Sequence, residues 1–366
     1  MNPSDTYNIH NADMFDTPFL AVYPEVVRQN IENLIRLLPD KNRIRPHVKT
    51  HKSPQVIKLL LEAGIIKFKC ATIAEADMCA KAGATDVLLA YQPVGPKIPR
   101  FISLTFAYPN CRFSCLVDNE SIAGQLSIAA GSMGKIAEIW LDLNTGMNRT
   151  GVKPGDDSRK LFEVCRSLPG LKIRGLHAYD GHITTPHLDE RLAEAAEAFA
   201  RVTEFADELV RSGYETPEIV AGSSPTLQYF AGVPGVECSP GSFIYWDRHY
   251  ETFYSELGFK QAAMLVARVI STPDKNRICL DAGYKAVSSE GPPEERVYLP
   301  DLPHAKVIAQ SEEHLLMDSG NRSLQVGELV YAVPFHIGRT INFYESSFVV
   351  EDNQVRGTWL HTARWR

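Results

Sequence analysis

The amino-acid sequence predicts an α/β fold: an N-terminal TIM-type β/α barrel followed by a C-terminal antiparallel β domain. The barrel is assigned to 24–255, and the β domain to 1–23 plus 256–366. Three observations predict it. Short apolar runs alternate with amphipathic helical patterns about eight times within roughly 220 residues, the rhythm of such a barrel. No GxGxxG follows an early strand, as the rival doubly wound dinucleotide-binding sheet would show. After about residue 250 the helical period stops, and short strands separated by turns take over.

In chain order, Val27, Ile31, Leu34 and Ile35 mark a first helix by their spacing. IRPHVKT (44–50) reads as the first barrel strand, and a helix follows with Ser53 as N-cap and Pro54 at its first position. IKFKCA (66–71) is a strand. Thr72 and Glu75 then have capping-box spacing, and Gly83 sits where a helix is ended by glycine. Strands are predicted at 86–91, 111–117, 136–143, 171–179, 218–223 and 236–240. The helices between them include 97–107 and a long amphipathic one from Leu188. PFLAVYP (18–24) is expected to join the C-terminal β domain.

Composition narrows the function. A net charge of -6 with no long basic run argues against nucleic acid. No stretch of 18 or more apolar residues crosses a membrane, and the polar N-terminus does not read as a signal peptide. Seven scattered cysteines without CxxC spacing read as reduced thiols, so a cytoplasmic protein is expected.

RPHVKTHK (45–52) draws attention because strand alternation places His47, Lys49 and His51 on one face. Barrel interiors are filled with apolar residues, so a His-Lys-His face is costly unless it builds a site. Lys49 lies near the C-terminal end of its strand, where barrel active sites sit; the alternative is a solvent-facing loop lysine. AGSSPT (221–226) and SPGSF (239–243) follow the last two strands, where phosphate is commonly held by backbone N–H groups. Ser223, Ser224 and Thr226 add hydroxyls there, and Gly222 and Gly241 allow close approach; two ordinary turns are the alternative.

RPHVKTHKS, GMNRTGV (146–152), AYDGH (178–182), GSSPT, PGSFIYWD (240–247), LDAGYKAVSSE (280–290) and VPFHIGRTIN (333–342) occur in an order that resembles the fold-type III pyridoxal-phosphate enzymes. They are most similar to the D-threonine aldolase and D-serine dehydratase group of the alanine-racemase-like superfamily. The resemblance spans nearly the whole chain. It implies pyridoxal 5'-phosphate held as a Schiff base by Lys49, with His47 beside it, Arg149 near the phenolic oxygen and Tyr179 lining the pocket. It implies phosphate contacts from Ser223, Ser224, Thr226, Gly241, Ser242 and Tyr245. It also implies a homodimer whose pockets are completed by the β domain that carries Asp281, Lys285 and His336.

One stretch departs from the family pattern. Members that use a divalent metal have His-x-Asp or His-x-Cys near the C-terminus, whereas here the stretch is His336-Ile337-Gly338-Arg339. Glycine supplies no side-chain ligand, so a divalent metal is doubtful even though His336 is retained. Arg339 offers a fixed charge in its place; the alternative is a solvent-facing arginine and a structural histidine. His336, Arg339 and Lys49 are the expected catalytic residues. The expected activity is that of a lyase on a D-β-hydroxy amino acid, aldolase before D-serine or 3-hydroxyaspartate dehydratase. An amino-acid racemase is the next alternative, and a non-catalytic pyridoxal-phosphate carrier is the non-enzyme one.

Overall fold

From Pro54 to Cys238 helix and strand alternate as the apolar periodicity predicts. The structure, a computed structural model, describes residues 7–290, 292–320 and 322–366. The elements run β1 (Phe19–Val22), α1 (Pro24–Leu37), α2 (Pro54–Glu62), β2 (Lys67–Cys70), α3 (Ile73–Ala82), β3 (Asp86–Leu89), α4 (Lys97–Ala107), β4 (Arg112–Val117), α5 (Glu120–Ser132) and β5 (Ala137–Leu143). They continue with α6 (Asp156–Ser167), β6 (Leu171–Ala178), α7 (Leu188–Arg211), β7 (Glu218–Ala221), α8 (Leu227–Ala231), β8 (Val236–Cys238) and α9 (Arg248–Tyr254). The remainder is β9 (Ala263–Asp274), β10 (Arg277–Leu280), β11 (Val297–Tyr298), β12 (Lys306–Gln310), β13 (Leu315–Asp318), β14 (Leu329–Pro334), α10 (Ile337–Thr340), β15 (Ser346–Glu351) and β16 (Gln354–Leu360). The chain divides into two units, one of 34–49, 57–241 and 365–366, the other of 1–33, 50–56 and 242–364.

The first unit is a parallel sheet of seven strands in the order β2 to β8. Local chemistry sets its helices. Thr72 caps α3, its Oγ1 accepting from Glu75 N at 3.0 Å, while Glu75 Oε2 reaches one residue past the N-cap and accepts from Ala71 N at 2.5 Å, so only the first half of the expected capping box forms. Gly83 closes α3 at a φ of 106°, a conformation that favours glycine. Alternation along the strands builds the interior, where Leu88, Leu116, Trp140 and Val220 form one buried cluster.

The expected strand at 44–50 is half strand. Ile44 bridges Cys238 and His47 bridges Lys69, both in the parallel sense, so 44–47 joins the two edges of the sheet and closes the ring. Val48–Thr50 is instead a 3-10 turn. His47 explains it locally: its Nδ1 accepts the Lys49 N–H at 3.2 Å, drawing the backbone round. The face argument for His47, Lys49 and His51 is thereby corrected, because period-two alternation does not survive such a turn. His51 is buried, and its Nδ1 accepts the Ser53 N–H at 3.1 Å.

In the second unit the path β12-β13-β10-β9-β1-β15-β16 forms a sheet, with β14 also on β9 and β11 on β14. β1 pairs antiparallel with β9 and parallel with β15, so the 18–24 segment joins this sheet as expected, through one parallel seam in an otherwise antiparallel array. Among the described residues no helix is long and apolar enough to cross a membrane.

Candidate functional site

The C-terminal ends of the barrel strands enclose a cavity of about 290 Å³ lined by His47, Lys49, Lys69, Ala71, Ala90, Tyr91, Arg149, Thr150, His177 and Tyr179. Lys49, His47, Arg149 and Tyr179 were singled out from the sequence, and they meet here. Arg149 is presented by the loop after β5, and its guanidinium lies 5.1 Å from the Tyr179 ring centroid. Gly151 makes that loop feasible. It holds a φ of +92°, and a Cβ there would fall 2.7 Å from Asn144 N. Burial, and then Asp180, push the Tyr179 phenol up, while Arg149 opposes them.

The sequence reading missed Lys69, His177 and Asp142. Lys69 is only 2% exposed, and its Nζ lies 3.1 Å from His177 Nε2. His177 Nδ1 lies 2.7 Å from Asp142 Oδ1. Burial, and then the nearby Lys49, lower the Lys69 amine from 10.5 to about 7 against the opposing pull of Asp180 and Asp142. The signal was in the pattern: Phe68 and Cys70 are apolar, so Lys67 and Lys69 share the face of a barrel strand that should have been apolar too.

The two small-residue loops are stitched together. Gly241 N donates to Ser224 Oγ at 3.2 Å. Thr226 Oγ1 accepts from Ser223 N at 3.0 Å and donates to Asp180 Oδ2 at 2.5 Å. The Thr226 hydroxyl hydrogen thus goes to the carboxylate that follows β6, tying this loop to the end of that strand. Ser239, passed over by the sequence reading, has a buried hydroxyl with no partner among the described residues. Buried polar groups are ordinarily satisfied, so such a hydroxyl suits a ligand.

In the second unit, Ser242 opens the 3-10 turn Ser242–Ile244, and Tyr245 behind it is fully buried. Tyr245's hydroxyl also lacks a partner among the described residues. His336 caps the one-turn helix α10; its Nδ1 lies 3.8 Å from Asp247 Oδ2 and its Nε2 3.9 Å from Glu290 Oε2. Asp247 is itself engaged, accepting from Tyr250 N and Ile337 N, each at 3.1 Å. Arg339, offered by the sequence as a fixed charge, pairs with Glu290. Among the described residues no group of three or more His, Cys, Asp or Glu side chains is placed to hold a metal ion. Asp281 accepts from Thr17 Oγ1 at 2.5 Å and Arg268 N at 2.7 Å, and Lys285 faces Glu312 at 3.4 Å. Both are held within their own unit.

A family model described as alanine racemase, N-terminal domain, matches residues 23–249. The chain belongs to this family. A second model, described as a putative serine dehydratase domain, matches residues 262–350. The chain is 29% identical to a 3-hydroxy-D-aspartate aldolase of Paracoccus denitrificans, over 95% of this chain and 92% of that one. It is 27% identical to a D-threonine aldolase of an Arthrobacter species, over 88% of this chain and 85% of the other. The crystal structure of D-threonine aldolase from Filomicrobium marinum superposes with a TM-score of 0.87 at 26% identity, covering 96% of this chain and 97% of that chain. The fold is therefore that of the alanine-racemase-like enzymes, with a β/α barrel and a separate, largely antiparallel sheet.

Proposed function

We propose that the chain is a pyridoxal-phosphate-dependent lyase acting on D-β-hydroxy amino acids, in the aldolase sense. The observation that carries the proposal is the barrel cavity. A lysine, a second amine, a guanidinium and an aromatic face converge there, and none of the residues that line the cavity is a carboxylate. That donor set fits an anionic aromatic aldehyde, and the cavity is close to the lower end of the usual range for small-molecule sites, about 300 Å³. Lys49 would hold the cofactor through its Nζ, Arg149 would face its phenolic oxygen, Tyr179 would lie along the ring, and His47 fixes the turn that presents Lys49. Ser223, Ser224, Ser239 and Gly241 belong to the loops assigned to the phosphate. Ser242 and Tyr245 are assigned to it through the resemblance. When bound, the cofactor supplies a ring that accepts electrons from the substrate Cα.

Loss of the β-hydroxyl proton then allows the Cα–Cβ bond to break, giving an aldehyde and glycine. His336 is the group proposed to take that proton, and Lys49 the group that passes a proton at Cα. The active unit is proposed to be a homodimer, which a fully active monomer in sedimentation would overturn. The test is to incubate the holoprotein with D-threonine and with D-serine and to assay aldehyde, keto acid and enantiomer. Aldehyde with glycine is expected; keto acid would make it a dehydratase, and the L-enantiomer a racemase. Borohydride should fix the cofactor at Lys49, and Lys49→Ala should lose both the adduct and turnover, by more than about 10³-fold.

A further inference from the structure

We propose that Lys69 is a second working amine of the barrel cavity: a positioning residue that, with His177 and Asp142 behind it, takes up or gives up one proton on the cavity floor and so sets the charge met by the cavity's occupant. The proposal rests on reading this cavity as the cofactor pocket. Three observations carry it.

The first is connectivity. Asp142, His177 and Lys69 stand on β5, β6 and β2 and form an unbroken chain, 2.7 Å from Asp142 Oδ1 to His177 Nδ1 and 3.1 Å from His177 Nε2 to Lys69 Nζ. All three are buried, and two of them, Lys69 and His177, line the cavity. The second is the proton arrangement that this geometry imposes. Asp142 keeps a hydrogen on Nδ1, leaving Nε2 to accept an N–H from Lys69. With Lys69 uncharged, its second N–H and its lone pair are left for the cavity. With Lys69 charged, the extra proton either stays on Nζ or crosses to Nε2, where Asp142 stabilises the resulting imidazolium. In both cases one proton and one positive charge are gained, and no other atom changes hands.

The third is the surrounding charge. From the ring closure come Lys49, His47, the bridge partner of Lys69, and Arg45; from the loop after β5 comes Arg149; from β5 and the end of β6 come Asp142 and Asp180. Tyr179 presents its ring 5.3 Å from Nζ. Burial and then Lys49 lower the Lys69 amine from 10.5 to about 7, while Asp180 and Asp142 oppose the fall. A like charge nearby is a recognised means of keeping a lysine amine uncharged and reactive. An anion entering the cavity adds to the carboxylate side and draws the proton onto Lys69.

The test reads Lys69 directly. In protein carrying ¹³Cε-lysine, the resonance lost in Lys69→Met is titrated by NMR, without cofactor and then in the holoprotein. The expected midpoint is near 7 without cofactor, in place of the 10.5 of an ordinary lysine, and it should move upward when the cofactor is bound. Asp142→Asn should lower it, because Asp142 holds the proton on. In the holoprotein the visible band should shift with pH about the same midpoint as the bound Lys69. That shift should vanish in Lys69→Met and persist in Lys58→Met, at an exposed lysine. A resonance titrating near 10.5, or a visible band whose pH response is the same in Lys69→Met, overturns the proposal. If no cofactor attaches to the wild type, the functional reading fails, and the cofactor-free titration still decides whether Lys69 is the amine described.

Discussion

The two ends of the barrel carry similar side chains to opposite effect. At the N-terminal ends of the strands, Lys67, Asp86, Arg112, Glu138, Arg174, Glu218 and Glu237 join Arg45 in a band of interlocking pairs. Arg45 lies 2.6 Å from both Asp86 and Glu237, and Arg174 lies 2.8 Å from Asp86 and 2.9 Å from Glu218. Lys67 pairs with Glu237 as well. At the other end Lys49, Lys69 and Arg149 converge on a cavity where Asp142 is already turned toward His177. The first set is spent on pairs between strands; the second faces a cavity. The difference matches the division of labour in such barrels, with stability at the bottom and chemistry at the top.

The largest effect should come from breaking the paired end. Against the pull of burial, Arg45 and then Arg174 hold Asp86 below the usual carboxylate range. Asp86→Ala would leave the fully buried Arg45 with Glu237 as its one carboxylate partner, beside the Phe68 carbonyl. Removing one partner of a buried pair costs about 3–5 kcal/mol, so unfolding in denaturant should show a loss of that order. Turnover per folded molecule should stay near that of the wild type. If it falls in proportion to Lys49→Ala, the two ends are not independent.

The cavity end should show itself as a pH dependence. The Lys69 amine titrates at 10.5 in a free chain and at about 7 in the fold. Between those values the unfolded chain binds the extra proton, so this group makes stability rise with pH from about 7 to about 10.5. Below about 7 the cost of burying its charge is fully felt. Lys69→Met should therefore be more stable than the wild type in mild acid, and the gap should close as pH rises. A gap that is flat with pH would mean that Lys69 keeps its proton when folded.

How far the sequence discloses the molecule follows the same division. Capping and strand alternation are local, so α3 with Thr72 and Gly83 is legible residue by residue. Barrel closure is not local. Whether 44–50 extends or turns depends on Cys238 and Lys69, which lie far along the chain, and on a histidine that curls its own backbone. Lys49, Arg149 and Tyr179 are legible through motif resemblance, whereas Lys69 is legible only as a charge on a face that should have been apolar. That Arg339 has a carboxylate partner in Glu290 follows from tertiary placement alone.

A smaller effect is expected where the family's metal-binding pair is incomplete. Gly338 has no positive φ, and a Cβ on it would meet Thr50 at 3.6–3.8 Å, an ordinary contact. Gly338→Asp should therefore fold and restore the carboxylate two residues after His336. Calorimetry with manganese or zinc should show affinity rising at least about 10–100-fold, the scale on which even outer-shell losses weaken metal sites. No change in affinity would mean that α10 points position 338 away from the imidazole.

The smallest effect on stability belongs to Arg339. Its side chain is 60% exposed and its partner Glu290 36% exposed, so Arg339→Ala should cost no more than about 1 kcal/mol in unfolding. What it does to turnover is the sharper question, because stability and function should separate here as they do at the two ends of the barrel. If Arg339 stands in for the cation used by metal-dependent relatives, EDTA should leave turnover intact while Arg339→Ala lowers it. Glu290→Gln should then leave turnover intact or raise it, since it frees the guanidinium from its carboxylate. If instead Glu290 is the group that matters, orienting His336 from 3.9 Å, Glu290→Gln should lower turnover and Arg339→Ala should not. Loss of activity in EDTA, restored by manganese or zinc, would remove Arg339 from the mechanism and return His336 to the role of a metal ligand.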